Sequence, residues 1–132
     1  MRKTFEHADG YIENGKRGYY RIKDFVFGGE MLLPAIRKTF TLANILEVTA
    51  ATTGPRGGDA GHGCRAMVRF NDLAGTAIKA RVIPESIQGN GGVELTLAGD
   101  CELLTLIDGL RFAADALEDL AREQSIEHKE VC

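Results

Sequence analysis

The 132-residue chain is predicted to fold as an α+β protein: an antiparallel β-sheet, made of a meander and an N-terminal hairpin, packed against one long C-terminal helix. Three observations carry that prediction. Apolar and polar residues alternate with a period of two in several short segments between residues 64 and 97, as strands with one buried face require. Asn14-Gly15 sits between aromatic, charged segments and is a strong two-residue hairpin signal. From residue 103 to 120, leucine and alanine recur at steps of three and four, the spacing of an amphipathic helix.

Residues 1 to 27 place Phe5, Tyr11, Tyr19, Ile22, Phe25 and Phe27 among charges, which predicts a β-hairpin about Asn14-Gly15. Its basic residues Lys16, Arg17, Arg21 and Lys23 share the segment with the acids Glu6, Asp9, Glu13 and Asp24 and read as a charged strand edge. Gly28-Gly29 ends the pattern. In Met31-Leu32-Leu33-Pro34-Ala35-Ile36 the proline rules out a helix interior, so the stretch is expected as a connection or an edge strand. Phe40 to Thr53 reads as a strand ending at Gly54. Arg2-Lys3-Thr4-Phe5 recurs as Arg37-Lys38-Thr39-Phe40, a similarity too short to mark a duplicated unit.

Cys64, Ala66, Val68 and Phe70 alternate with Arg65, Met67, Arg69 and Asn71, which predicts a strand burying the first set. A turn is expected at Asn71 to Gly75, followed by a strand from Thr76 to Ile83 that Pro84 ends. A third strand follows the loop Gln88 to Gly92, with Val93, Leu95 and Leu97 on one side. Asp100 then caps a helix whose first turn also carries Glu102, both favoured by the positive end of the helix dipole. Leu103, Leu106, Leu110, Ala113, Leu117 and Leu120 form the expected buried stripe, widened by Ile107 and Ala114. Residues 1–122 thus make one domain, and the polar segment 123–132 is expected as a tail.

With 44% hydrophobic residues the chain suits a single core. The net charge of −3 speaks against a nucleic-acid binder, which needs clustered cations. Residues 100–132 carry nine acids and three bases, so the acidic part is C-terminal. Cys64, Cys101 and Cys132 are widely spaced with no CxxC pair and no signal peptide ahead of them, which fits reduced thiols in a cytoplasm. No apolar run approaches a membrane span.

The chemistry-bearing residues crowd into the Gly-rich stretch 53–65. Successive glycines let backbone N–H groups converge on an anion, so one reading is a phosphate or nucleotide cradle built from Arg56, Gly57, Gly58, Asp59, His62 and Arg65. The other is a bend whose glycines serve the backbone path, with Asp59 and His62 bonding their own loop. Asp59, His62 and Cys64 could coordinate zinc, but recognisable four-ligand spacing is missing. A Cys–His nucleophile pair lacks supporting residues. No catalytic set, metal or cofactor is therefore implied. On the helix, Phe112 lies off the leucine stripe with Gly109 and Ala116 on its side, and Asp108, Asp115 and Asp119 add an acidic face. This predicts a second packing surface, for a homodimer, a protein partner or the folded-over N-terminal hairpin.

Across residues 41–120, on the segments Thr53 to Arg65, Asn71-Asp72-Leu73-Ala74-Gly75-Thr76 and Gly99-Asp100-Cys101-Glu102-Leu103, the chain resembles small uncharacterised accessory proteins of phages and conjugative elements. The resemblance implies host-directed binding, including inhibition of a defence enzyme, and carries no catalytic residue across. The expectation is a small non-catalytic protein-binding module, with a homodimer through the Phe112 face as one of its arrangements. The alternative is a small-ligand binder or enzyme using the loop 54–65.

Overall fold

A computed structural model describes residues 10–11, 15–41, 44–58, 63–74 and 77–125. Five strands, β1 (Gly10–Tyr11), β2 (Arg17–Lys23), β3 (Glu30–Thr41), β4 (Ile45–Thr52) and β5 (Ala66–Ala74), form one antiparallel sheet in sequential order. Two more, β6 (Ala77–Ile83) and β7 (Gly92–Ala98), pair only with each other. The helix α1 (Asp100–Ser125) ends the described chain. The predicted α+β class, an antiparallel sheet against one long C-terminal helix, is the architecture observed.

Local chemistry accounts for the turns. Gly15 takes φ 76° between β1 and β2, as the hairpin expectation requires; Asn14 lies outside the described residues. Gly28 and Gly29 at φ 83° and 81° close the β2–β3 turn, where Gly28 N–H donates to the Asp24 carbonyl at 2.8 Å. Positive φ is close to free for glycine and unfavourable for residues bearing a Cβ.

Two strand expectations are corrected. Met31 to Ile36 belongs to the middle strand of the sheet, neither a connection nor an edge. Pro34 is tolerated because the β3–β4 ladder begins only at Ala35↔Ala51, so Glu30 to Pro34 pair with β2 alone. The missing N–H of proline therefore interrupts no ladder on the β4 side. The meander is also broken. Asn71, Asp72 and Leu73 are strand and not turn, because β4 holds them in register through Leu46↔Asp72 and Ile45↔Ala74 with an irregularity between the two. Among the described residues, β5 is thus an edge strand, and β6–β7 leaves as a separate ribbon.

The helix expectation holds for position and in part for rotation, since Ala113 and Leu120 of the expected stripe are buried. Thr105, Gly109, Ala113, Ala116 and Leu120 are buried, whereas Leu103 and Leu110 of the expected stripe are each 50% exposed. At 100° per residue, the face on the sheet is turned by roughly 90° from the leucine stripe. The reason is steric. The sheet supplies the bulk through Leu46, Val48, Phe40 and Phe70, and the helix answers with small residues that let its backbone come close. A Cβ added at Gly109 would lie 3.1 Å from Val48 Cγ2 and 3.7 Å from both Leu46 Cδ2 and Phe70 Cε1.

The helix follows β4 along its length. Thr105 donates to Asn44 Oδ1 at 3.0 Å near the start of the strand, and Gln124 packs on Gly54 just past its end. Residues 123 and 124, expected in a tail, are helical, and Glu123 meets Arg17 of β2 at 2.8 Å. The rest of the expected tail, 126–132, lies outside the described residues.

Gly109→Leu should overpack this contact and destabilise the protein by about 1–3 kcal/mol despite leucine's better helix propensity. Urea denaturation of the two proteins measures it; equal or greater stability of the variant would show that the helix does not sit this close to β4.

Candidate functional site

The Gly-rich stretch leaves β4 at Thr52 and returns into β5 at Ala66, and its neck is closed by the chain's own hydroxyls. Thr53 N–H donates to the Arg65 carbonyl at 3.0 Å, as does Thr52 Oγ1 at 2.9 Å, while Thr53 Oγ1 accepts from Arg65 N–H at 3.2 Å. Two glycines are required by close approach. At Gly54, with φ 77°, an added Cβ would stand 2.6 Å from Gln124 Cβ of the helix, and at Gly63, with φ 83°, 2.9 Å from Gly58 N across the loop. The backbone path thus accounts for these glycines without a ligand.

Arg65 decides the loop's chemistry. Expected at the rim with Arg56, it is instead buried at 9% exposure, its Nε 3.0 Å from Asp24 Oδ1. Its Nη1 donates to the carbonyls of Gly63 at 3.3 Å and Cys64 at 3.2 Å, and its guanidinium lies 5.7 Å from the Phe27 ring. The side chain therefore clamps the β2–β3 turn to the end of the loop. Arg56, Gly57 and Gly58 are exposed, whereas Arg65 is buried. Asp59 and His62 lie outside the described residues. Cys64, expected on the buried face, is exposed together with Ala66, and Val68 is 40% exposed, because β5 is an edge that the helix covers only as far as Phe70.

The helix-face residues divide. Gly109 and Ala116 are buried against this chain's own sheet, and half-buried Phe112 meets Phe40 edge-on with ring centroids 5.8 Å apart. Asp108 and Asp115 border a shallow cleft of about 350 Å³ with Lys38 and Arg111. Asp119 accepts from Arg122 at 2.9 Å, and Glu118 lies 3.9 Å from the same arginine, the i, i+4 pair its spacing implies.

Two further features escaped sequence reasoning. On the sheet face away from the helix, Arg37 Nε donates to Thr49 Oγ1 at 2.7 Å, and Glu47 Oε1 lies 3.8 Å from both Arg37 Nε and Arg69 Nη1. Arg37 is 6% exposed and its Nη2 has no hydrogen-bond partner, so the cluster ties three strands together, with only Arg37 and Thr49 buried. An arginine amid the apolar alternation of β3 was the available signal. The second feature is a groove of about 570 Å³ between the β5 edge and the ribbon, lined by Tyr20, Met67, Val68, Phe70, Val93 and Leu95 among others. Consecutive residues of β5 reach it because it lies along the strand's edge. On the ribbon, one face pairs Ile78↔Leu97, Ala80↔Leu95 and Val82↔Val93, and its distal pair stays open, Val82 77% and Val93 68% exposed.

No protein-family model, curated protein or solved structure matches this chain. The reading of the site therefore rests on its geometry.

One electrostatic consequence is measurable. The Asp24 carboxyl is held below the usual carboxylate range, first by the Val26 N–H that donates to it at 3.1 Å and then by Arg65. A depressed folded-state pKa stabilises the protein above the unfolded value of about 3.9, and that stabilisation is lost as pH falls through the lower folded value. Asp24→Asn should therefore lower the urea midpoint at pH 7 and narrow the gap between midpoints at pH 7 and pH 3. An unchanged pH 7 midpoint would remove the clamp from the account.

Proposed function

We propose that the chain is a non-catalytic protein-binding module that takes an extended apolar segment of a partner protein into the groove between β5 and the β6–β7 ribbon. The observation that carries this reading is that only two residues separate β5 from β6, yet β6 pairs solely with β7 among the described residues. The edge of β5 thus faces an apolar wall across open space. An added strand would draw main-chain hydrogen bonds from such an edge and specificity from alternate side chains placed against Met67, Val68, Val93 and Leu95, the mode of recognition known as β-augmentation. Exposed apolar surface of this kind marks interaction sites.

The non-catalytic part of the proposal is supported by the engagement of Arg65 with Asp24, which takes one of the four polar residues of the loop out of any convergent set. The resemblance to accessory proteins of phages and conjugative elements directs the proposal to a host protein, a defence enzyme among the possibilities.

Capture from a bacterial lysate, followed by cross-linking and mass spectrometry, should map partner contacts to Met67–Phe70 and Val93–Leu95. Val82→Asp combined with Val93→Asp should abolish capture with the thermal midpoint changed little, since both side chains are exposed. Retained capture, or contacts confined to residues 54–58, would overturn the groove reading. Nucleotides and inorganic phosphate at millimolar concentration should leave the thermal midpoint unmoved; an upward shift would favour the loop as a ligand site.

A further inference from the structure

The turned helix leaves a second apolar surface. Leu103, Ile107, Leu110, Ala114, Leu117 and Ala121 follow one another at steps of four, three, four, three and four, the repeat of a helix–helix seam. At 100° per residue they lie within about 40° of one line, well away from the buried face of Thr105, Gly109, Ala113, Ala116 and Leu120. Leu103 and Leu110 are 50% exposed, as is neighbouring Leu104 at 51%, and Ala114 is exposed. Leucines at this frequency in contact with water are uncommon on a helix that already has a core face.

We infer that this seam is where two copies of the chain pair, through α1 against α1 in antiparallel orientation about a two-fold axis level with residue 112. The seam is self-complementary in that arrangement, as an isologous interface must be. Leu103 falls opposite Ala121 of the second copy, Ile107 opposite Leu117, and Leu110 opposite Ala114, so the two outer kinds of layer set a leucine against an alanine and one layer sets isoleucine against leucine. A parallel pairing sets Ala114 on Ala114 and Ala121 on Ala121, leaving unfilled layers that close packing disfavours. At the end layer, Ala121 lies beside Gly54, where an added Cβ would stand 3.4 Å from the Ala121 Cα.

Charge agrees with this choice. The helix is strongly acidic, but Asp108, Asp115 and Asp119 project from the side away from the seam. The charged residues along its margin are Asp100, Arg111 and Glu118. In the antiparallel pair, Arg111 of one copy and Glu118 of the other stand roughly 7 Å apart along the axis at 1.5 Å per residue, a separation that an arginine side chain spans. The dyad generates a second such pair. The ribbon and its groove take no part in the interface, and this inference stands or falls independently of the proposed function.

Sedimentation velocity over a wide concentration range should show the wild-type chain reaching twice the 14.3 kDa of a single copy, with Leu110→Glu monomeric throughout and its far-UV circular dichroism unchanged. Val82→Asp with Val93→Asp should dimerise as wild type. Orientation is read from disulfide trapping with Cys64, Cys101 and Cys132 replaced by serine. Leu103→Cys mixed with Ala121→Cys should cross-link, while neither variant cross-links alone. A wild-type chain that stays monomeric at hundreds of micromolar, or a folded Leu110→Glu chain that still dimerises, would overturn the seam. Cross-linking of Leu103→Cys with itself would overturn the antiparallel arrangement.

Discussion

The close seating of α1 on β4 is the constraint from which the remaining structure follows. Gly109 lies against Val48, with an added Cβ only 3.1 Å from the valine methyl, and Ala113 and Ala116 continue the small-residue face along the helix. Bulk comes from the sheet, in Leu46, Val48, Phe40 and Phe70. Dispersion and apolar burial both reward that intimacy, because they depend on contact distance and on area removed from water. Polar contacts then hold the two ends, Thr105 to Asn44 at one and Glu123 to Arg17 at the other. The second is exposed and contributes little by itself, so the apolar middle sets the position.

Seating the helix along β4 also shapes the Gly-rich loop. The loop begins where the helix ends, and Gly54 passes so close to Gln124 that no side chain fits there. Its far limb is fixed by Arg65, whose guanidinium meets Asp24, two carbonyls and the Phe27 ring. A largely buried ion pair of this kind is retained only when its remaining donors are satisfied, and here the Gly63 and Cys64 carbonyls accept them. The loop therefore has a defined neck and an exposed crest at Arg56 to Gly58, and the arginine that might have served a ligand serves the fold.

Two apolar surfaces remain after the core is built, and each has a distinct origin. The groove exists because β6 pairs with β7 and not with β5, although only two residues join β5 to β6. The helix seam exists because small residues occupy the sheet-facing side, which displaces the leucines toward water. One surface offers a strand edge beside apolar side chains. The other offers a self-complementary row of them. The groove shares Tyr20, Met67 and Phe70 with the core, while the seam uses none of the core residues.

Much of the fold was legible in the sequence. Period-two alternation located β6, β7 and the body of β5, Asn14-Gly15 and Gly28-Gly29 marked the first two turns, and three-four spacing with Asp100 at its head located α1. These signals are local, since strand period, glycine conformation and capping act within a few residues. Which face of α1 is buried was decided only by tertiary structure, because hydrophobicity favours leucine while close packing against Val48 and Phe70 favours glycine and alanine. The same holds for Pro34, acceptable within the middle strand only because the β4 ladder starts one residue later. It holds for Arg65, whose partner Asp24 is 41 residues away, and for the edge of β5, left open by a register that no residue of β5 encodes alone. Sequence by itself determined the elements and the α+β class; the pairing of distant surfaces determined which residues were spent on the core and which were left to meet another molecule.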